Sequence, residues 1–325
     1  MSDRDANVSG SLYALAAGLL WGLVFVVPVL LPEYPAAALS FGRYVAFGVI
    51  AIPLAWIGRT QLRALSRADW IEATKLALVG NVLYYLCLAA AIQRAGAPLP
   101  TMIIGTLPVV IALVSNARGE RVPWARLAPS LALIAIGIAL VNHAEWQALR
   151  ADPSADPRRY AIGGVLAIGA LVCWTWYPIR NAAWLRASRT RSASTWATAQ
   201  GVVTLPIAAI GYAGFLAWSA ITGEDRFPLP LGPTPSRFVI AMLVVGLLAS
   251  WLGATCWNRA SQRLPTQIAG QLIVFETLSA LTYAFVLRGR LPDATTVAGI
   301  VLLVVGVAWA LRAPRETEPA PLEST

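Results

Sequence analysis

Glu276 is the one carboxylate set deep inside a long apolar run of this sequence; the other Asp and Glu residues fall in polar stretches or near the ends of such runs. A carboxylate in hydrocarbon is costly to bury and marks a functional group or a paired one. Counted along a helix at about 1.5 Å per residue, it lies about 18 Å from the start of its run, hence about 12 Å from the opposite face of a core roughly 30 Å thick. Arg43 sits at a similar depth in another run. Two chemistries fit this combination. Glu276 can hold a proton or a substrate amine while Arg43 holds a substrate carboxylate, or the two can form a structural ion pair that joins their helices.

Neutral polar and aromatic residues recur at comparable depth. Asn81, Tyr84, Tyr85 and Leu88 share one helix face at i, i+3, i+4, i+7 spacing. Trp251, Thr255 and Asn258 share another, and Gln267 and Gln271 a third. Trp21 and Trp174 lie mid-run as well. Polar groups at such depth are expected to face protein or water rather than lipid. Trp21, Asn81, Tyr84, Trp174, Trp251 and Gln271 are therefore predicted to line one central cavity. The alternatives are helix packing or an interfacial belt for the aromatics, and interhelical hydrogen bonds for Asn81 and Gln271. Lys75, three residues after Glu72, reads as a snorkelling side chain with a local ion pair. Glu120, between Arg118 and Arg121, reads as a helix-end group.

Other chemistries lack residues. His143 is the single histidine and falls in an expected loop. Cys87, Cys173 and Cys256 lie in apolar runs without CxxC spacing, so neither a disulfide framework nor a zinc site is indicated. There is no HExxH, no pair of intramembrane aspartates, no Ser-His pairing and no GxxxxGK[ST]. No catalytic residue, metal or cofactor is expected. The formal charge of +9 raises nucleic acid as a partner, but Lys75 is the only lysine and the arginines are scattered singly between apolar runs. That pattern orients a membrane protein and does not build a nucleic-acid surface.

The elements that must position these residues follow from composition. Of 325 residues, 58% are hydrophobic and 13% charged, far outside the soluble range. Lipid requires every backbone polar group to be satisfied within the spanning structure. The runs do not alternate as barrel strands would, so the chain is an all-α integral membrane protein. Ten stretches are long enough to span: 11–31, 36–57, 71–92, 98–116, 126–142, 160–181, 194–221, 238–258, 264–287 and 293–311. Residues 1–10 lack a basic leader region and read as a retained cytoplasmic N-terminus, and 312–325, rich in Pro and Glu, as a disordered cytoplasmic tail. Basic residues in alternate connections divide about two to one in favour of both termini in the cytoplasm.

The spans are duplicated. "AGLLW" ending at Trp21 matches "ALVCW" ending at Trp174, and the same shift of 153 (174 − 21 and 201 − 48) aligns "GVIAIPLA" from Gly48 with "GVVTLPIA" from Gly201. Five spans per half, 11–142 and 160–311 joined by a loop at 143–159, force the second half to enter from the opposite side. The expected architecture is therefore ten transmembrane helices as two inverted five-helix repeats, an arrangement suited to alternating access. The charges are not duplicated: Trp196 is the repeat partner of Arg43, and Thr106 or Leu107 that of Glu276.

With this layout, Arg43 early in the second span, "LPVVIALVSNARGER" at 107–121 and "FETLSALTYAFVLRGR" at 275–290, the chain resembles the drug/metabolite transporter superfamily, in particular its EamA-like members. The last two segments look like the family's repeated helix ending in a Gly-Glu pair, with Thr277 where proline is frequent and Arg290 in place of the second Glu. The resemblance implies a cavity lined by the first, third and fourth spans of each half, and export of amino acids or related metabolites. The expected function is thus an inner-membrane secondary carrier whose partners are a small-molecule substrate and the bilayer; proton coupling and a homodimer stay open. Uptake or exchange of sugar phosphates or nucleotide sugars is the alternative within transport, although phosphate would call for several cavity bases. Outside transport, the alternative is a membrane receptor or structural protein.

Overall fold

A computed structural model describes residues 3–96, 98–117, 124–150, 156–187, 191–222, 227–289 and 294–312. The described residues are helical, with no strand among them. The helices are α1 (Asp3–Leu30), α2 (Ala36–Ile57), α3 (Arg67–Ala95), α4 (Pro98–Gly105), α5 (Leu107–Ala117), α6 (Trp124–Arg150), α7 (Pro157–Arg186), α8 (Ala193–Thr222), α9 (Pro235–Arg263), α10 (Thr266–Leu272), α11 (Val274–Arg288) and α12 (Ala294–Arg312), with a single turn at Arg59–Arg63 between α2 and α3. Seven helical segments are long and apolar enough to cross a membrane: α1, α2, α3, α7, α8, α9 and the stretch Ile268–Leu287 across α10 and α11. Leu99–Val114, Ala128–Leu140 and Ala294–Gly306 are shorter apolar helices. Gly119, Glu120, Arg290 and the tail after Arg312 lie outside the described residues, as does the side chain of Gln267.

Helix ends follow local chemistry. Ser66 and Asp69 form a reciprocal capping box that starts α3, and Gly289, at φ 59°, ends α11 in the left-handed conformation that glycine adopts without strain. Several helices outrun the apolar stretches. α1 already begins at Asp3, and α6 runs to Arg150, so His143 is helical and meets Gln147 one turn on. The expected loop at 143–159 shrinks accordingly, because "VNHAEWQALR" is rich in good helix formers and continues the helix past its apolar part.

The packing pairs helices from the two halves of the sequence. α1 lies against α11 and the second part of α9; α7 lies against the second part of α3 and against α4 and α5; α2 packs on α8, and α6 on α12. Small residues permit these approaches. A Cβ at Gly22 would stand 2.6 Å from the Ser279 Cβ, and one at Gly18 would stand 3.0 Å from the Glu276 backbone nitrogen.

α3 and α9 each change register partway. Residues Ala77–Leu83 and Gly246–Leu252 form π-helical segments, at equal spacing from each other as 246 − 77 = 252 − 83 = 169. π segments displace the side chains that follow them and leave carbonyls free of the regular ladder, a feature frequent at functional sites.

Candidate functional site

Both π segments border a small cavity of about 20 Å³, to which they contribute Gly80, Asn81, Ala249 and Ser250. Six of the residues singled out in the sequence line it: Trp21, Arg43, Asn81, Tyr84, Trp174 and Glu276. Trp251 and Gln271 do not. Trp251, in the same π segment, instead donates its indole N–H to Thr198 Oγ1 on α8 at 3.0 Å. Gln271 is buried in α10, with neither amide atom hydrogen-bonded.

Glu276 is 1% exposed. Its Oε2 accepts the Trp174 indole N–H at 3.2 Å, and its Oε1 the Tyr84 hydroxyl at 3.5 Å. Both donors are neutral; they orient the carboxylate, while the cationic Arg43 lines the same cavity without hydrogen-bonding to it. Arg43, on the same cavity, is engaged elsewhere. Its Nε donates to Ser250 Oγ at 3.0 Å, and its guanidinium lies 4.5 Å from the Tyr85 ring centre and 4.9 Å from that of Tyr44. Its Nη1 is buried with no hydrogen-bond partner. The two charges thus share a cavity while holding different partners, the aromatic faces carrying part of the guanidinium's compensation.

The walls are aromatic. Tyr84 stacks on Trp174 at 4.5 Å, Trp174 on Tyr177 at 5.2 Å, and Trp21 meets Trp174 edge-on at 4.9 Å. The Trp21 indole is fixed by its bond to the Ala249 carbonyl at 2.9 Å, inside the π segment of α9. Tyr177 closes one side: its ring rests on Gly80, where a Cβ would come within 2.1 Å of the ring. Its hydroxyl reaches Gln200 at 3.1 Å, the first link of a buried network through Asn181, Asn258 and Trp196.

Tyr177, Tyr44 and Ser250 were not among the expected site residues. Tyr177 was readable, since it stands three residues after Trp174 and so shares its face. Ser250 was not, because its direction depends on the π turn. Among the described residues, no three of His, Cys, Asp and Glu gather as metal ligands would.

Beyond the cavity, the two ends of the helix packing differ. At one end α3 meets α7. The Glu72 carboxylate receives Arg180 Nε and, at 3.0 Å, Arg180 Nη2, while Lys75 stays at 4.0 Å. Asp69 Oδ1 accepts from Arg191 Nε at 2.6 Å and from the Trp184 indole at 3.0 Å. At the other end, Tyr34 after α1 stacks on Phe238 of α9 at 4.7 Å, and its hydroxyl donates to the Leu231 carbonyl at 2.9 Å while accepting from the Thr234 N–H. Beside Tyr34 opens a surface basin of about 890 Å³ that also includes Glu33, Arg94, Arg158 and Arg159.

Residues 8–143 match the EamA-like transporter family. Over 313 residues the chain is 52% identical to "Inner membrane protein YtfF" of Escherichia coli (strain K12), covering 95% of this chain and 97% of that one. It is 26% identical to a Bacillus subtilis (strain 168) protein described as transporter YwfM, over 95% of this chain and 96% of that one. A crystal structure at 17% identity superposes with a TM-score of 0.69 over 93% of this chain and 96% of that one, a likeness of fold alone.

Proposed function

This chain belongs to the EamA-like transporter family, and from that premise we propose that it is a secondary carrier that binds small amine-bearing metabolites, amino acids foremost, at Glu276 and moves them by alternating access. The observation that carries the proposal is the state of Glu276: a buried carboxylate in an aromatic chamber, held by two neutral donors. A buried carboxylate without a hydrogen-bonded cation is costly, so the site favours a cationic group or a proton against it. The two exclude each other on one carboxylate, which couples solute movement to proton movement in the opposite direction. Arg43, with Nη1 unpartnered, supplies the complementary contact for a substrate carboxylate.

The proposed architecture is ten membrane helices in two inverted halves with both termini cytoplasmic, in a bacterial-type inner membrane. The seven long and three shorter apolar helices support it, as do the reciprocal packing of α1 and α7 and the paired π segments of α3 and α9. The name of the Escherichia coli relative supports the membrane assignment. Under this topology the cavity lies midway, and the Asp69 end faces the cytoplasm. Sugar phosphates fit less well, since Arg43 is the single cationic residue lining the cavity among the described residues and a phosphate dianion would also face Glu276.

Uptake of radiolabelled amino acids, amines and sugar phosphates into proteoliposomes, with and without a pH gradient, tests the proposal. Gradient-driven accumulation of an amino acid or amine is expected. Glu276→Gln should keep the fold and abolish that accumulation, because the amide has the same shape and cannot ionise. Accumulation of sugar phosphates alone, or full gradient-driven flux in Glu276→Gln, overturns it.

A further inference from the structure

We propose that Asp69, Glu72, Arg180 and Arg191 form a gate that seals the cavity at one end and comes apart once in each transport cycle; the proposal rests on the carrier reading above. Asp69 and Glu72 stand on the first two turns of α3, Arg180 near the end of α7, and Arg191 in the connection to α8. Glu72 takes two donors from Arg180 in a forked contact, and Asp69 takes Arg191 and Trp184 on one oxygen and the Ser66 hydroxyl and N–H on the other. Gln262, at the end of α9, fixes the Arg191 carbonyl at 2.8 Å. The cluster therefore ties α3, from the first half, to α7, the connection that follows it, and α9 of the second. The carboxylate side chains are withdrawn from solvent, at 7% exposure for Asp69 and 3% for Glu72.

This cluster and the cavity wall belong to the same two helices. Tyr177 is one turn from Arg180 along α7, Gly80 two turns from Glu72 along α3, and the Tyr177 ring rests on Gly80. Separating α3 from α7 at this end breaks both ion pairs and lifts Tyr177 from Gly80, which opens the cavity in that direction. Ionic closure suits a contact that must reopen. Buried pairs add little net stability compared with apolar packing, and once parted each charge regains hydration, whereas parted apolar surfaces would stand exposed to water. Closed and open arrangements can then lie close in free energy, as a switching element requires.

A single reporter cysteine tests this. Ala254 lines the cavity from α9; Ala254→Cys is placed in a chain whose Cys87, Cys173 and Cys256 are replaced by alanine. The full chain, in proteoliposomes, is labelled by a membrane-impermeant methanethiosulfonate from either side. Asp69→Asn with Glu72→Gln should speed labelling from the Asp69 end about tenfold or more, since it deprives both arginines of their carboxylates, without speeding it from the Tyr34 end. The swap Glu72→Arg with Arg180→Glu should return labelling toward the starting rate. Arg180→Lys, which keeps the charge and loses the fork, should give a smaller rise and supplies the test where the neutral pair folds poorly by melting temperature. Unchanged labelling from the Asp69 end in a folded variant, or an equal rise from both ends, overturns the gate. Failure of the carrier reading shows separately, as a reporter in the unsubstituted gate background that is reached from one side alone with and without a gradient.

Discussion

At one end of the molecule α3 meets α7 through two carboxylates and two arginines; at the other, α9 meets the segment after α1 through stacked Tyr34 and Phe238, with Phe227 edge-on at 5.7 Å. The positions correspond. Phe238 follows Asp69 by 238 − 69 = 169, the same offset that separates the two π segments. The same helix geometry thus brings the ends together in both places, and the side chains at the meeting point decide what holds them. At the aromatic end the chain is fitted around Tyr34: Gly232, at φ 78°, lets the backbone turn where a Cβ would come 2.4 Å from the ring. At the ionic end the two carboxylates hold the two arginines, and the Arg191 guanidinium also lies over the Trp184 ring, 4.7 Å from its centre.

The largest effects should come from emptying each end. Tyr34→Ala removes a fully buried ring and should cost about 3–5 kcal/mol. Asp69→Ala strands Arg191 and should cost about 3 kcal/mol. Double variants separate the two chemistries in detergent melts. Asp69→Ala with Arg191→Ala should be more stable than Asp69→Ala alone, because no unpaired charge is left. Tyr34→Ala with Phe238→Ala should be less stable than either single variant. A further loss in the Asp69–Arg191 double variant would mean that packing, not charge, closes that end.

A smaller effect isolates the hydroxyl. Tyr34→Phe keeps the stack and leaves the Leu231 carbonyl and the Thr234 N–H without it, at a cost of about 1–2 kcal/mol. Salt gives a smaller one still. Raising NaCl from about 0.1 M to 1 M shortens the screening length from about 10 Å to 3 Å, and the Arg180 side chain is 42% exposed. Reporter labelling from the Asp69 end should then rise by a small factor, with no change from the Tyr34 end. Equal salt response at both ends would remove the distinction.

The apolar runs were legible because spanning a membrane leaves a long, simple signature, and each described helix falls on one of them apart from the turn at Arg59–Arg63. Arg43, Glu276, Trp21, Asn81, Tyr84 and Trp174 could be gathered by depth and spacing alone, and they meet at one cavity. The π segments could not be read. A seven-residue change of register leaves no periodic trace, yet it gives Trp21 the Ala249 carbonyl, turns Ser250 toward Arg43, and sends Trp251 to Thr198. Gln271 shared the expected depth, but it sits on α10, where its face meets neighbouring helices and not the cavity. The gate was hidden for another reason: Glu72 and Arg180 are 108 residues apart, and the residue three positions on offered a sufficient local partner.

That local partner carries the smallest prediction. Lys75 and Glu72 have the i, i+3 spacing that supports a helix-surface ion pair, but the contact is at 4.0 Å and the Lys75 side chain is 59% exposed. An exposed pair of this kind contributes below about 0.5 kcal/mol. Arg180 reaches the same carboxylate with two donors from another helix, where the fork fixes direction as well as distance. Lys75→Met should therefore leave the melting temperature and the labelling rate from the Asp69 end unchanged within error, whereas Arg180→Met should alter both. If the two substitutions behave alike, Glu72 is served by its own helix, and Asp69 with Arg191 and Trp184 is left to fasten the halves at the ionic end.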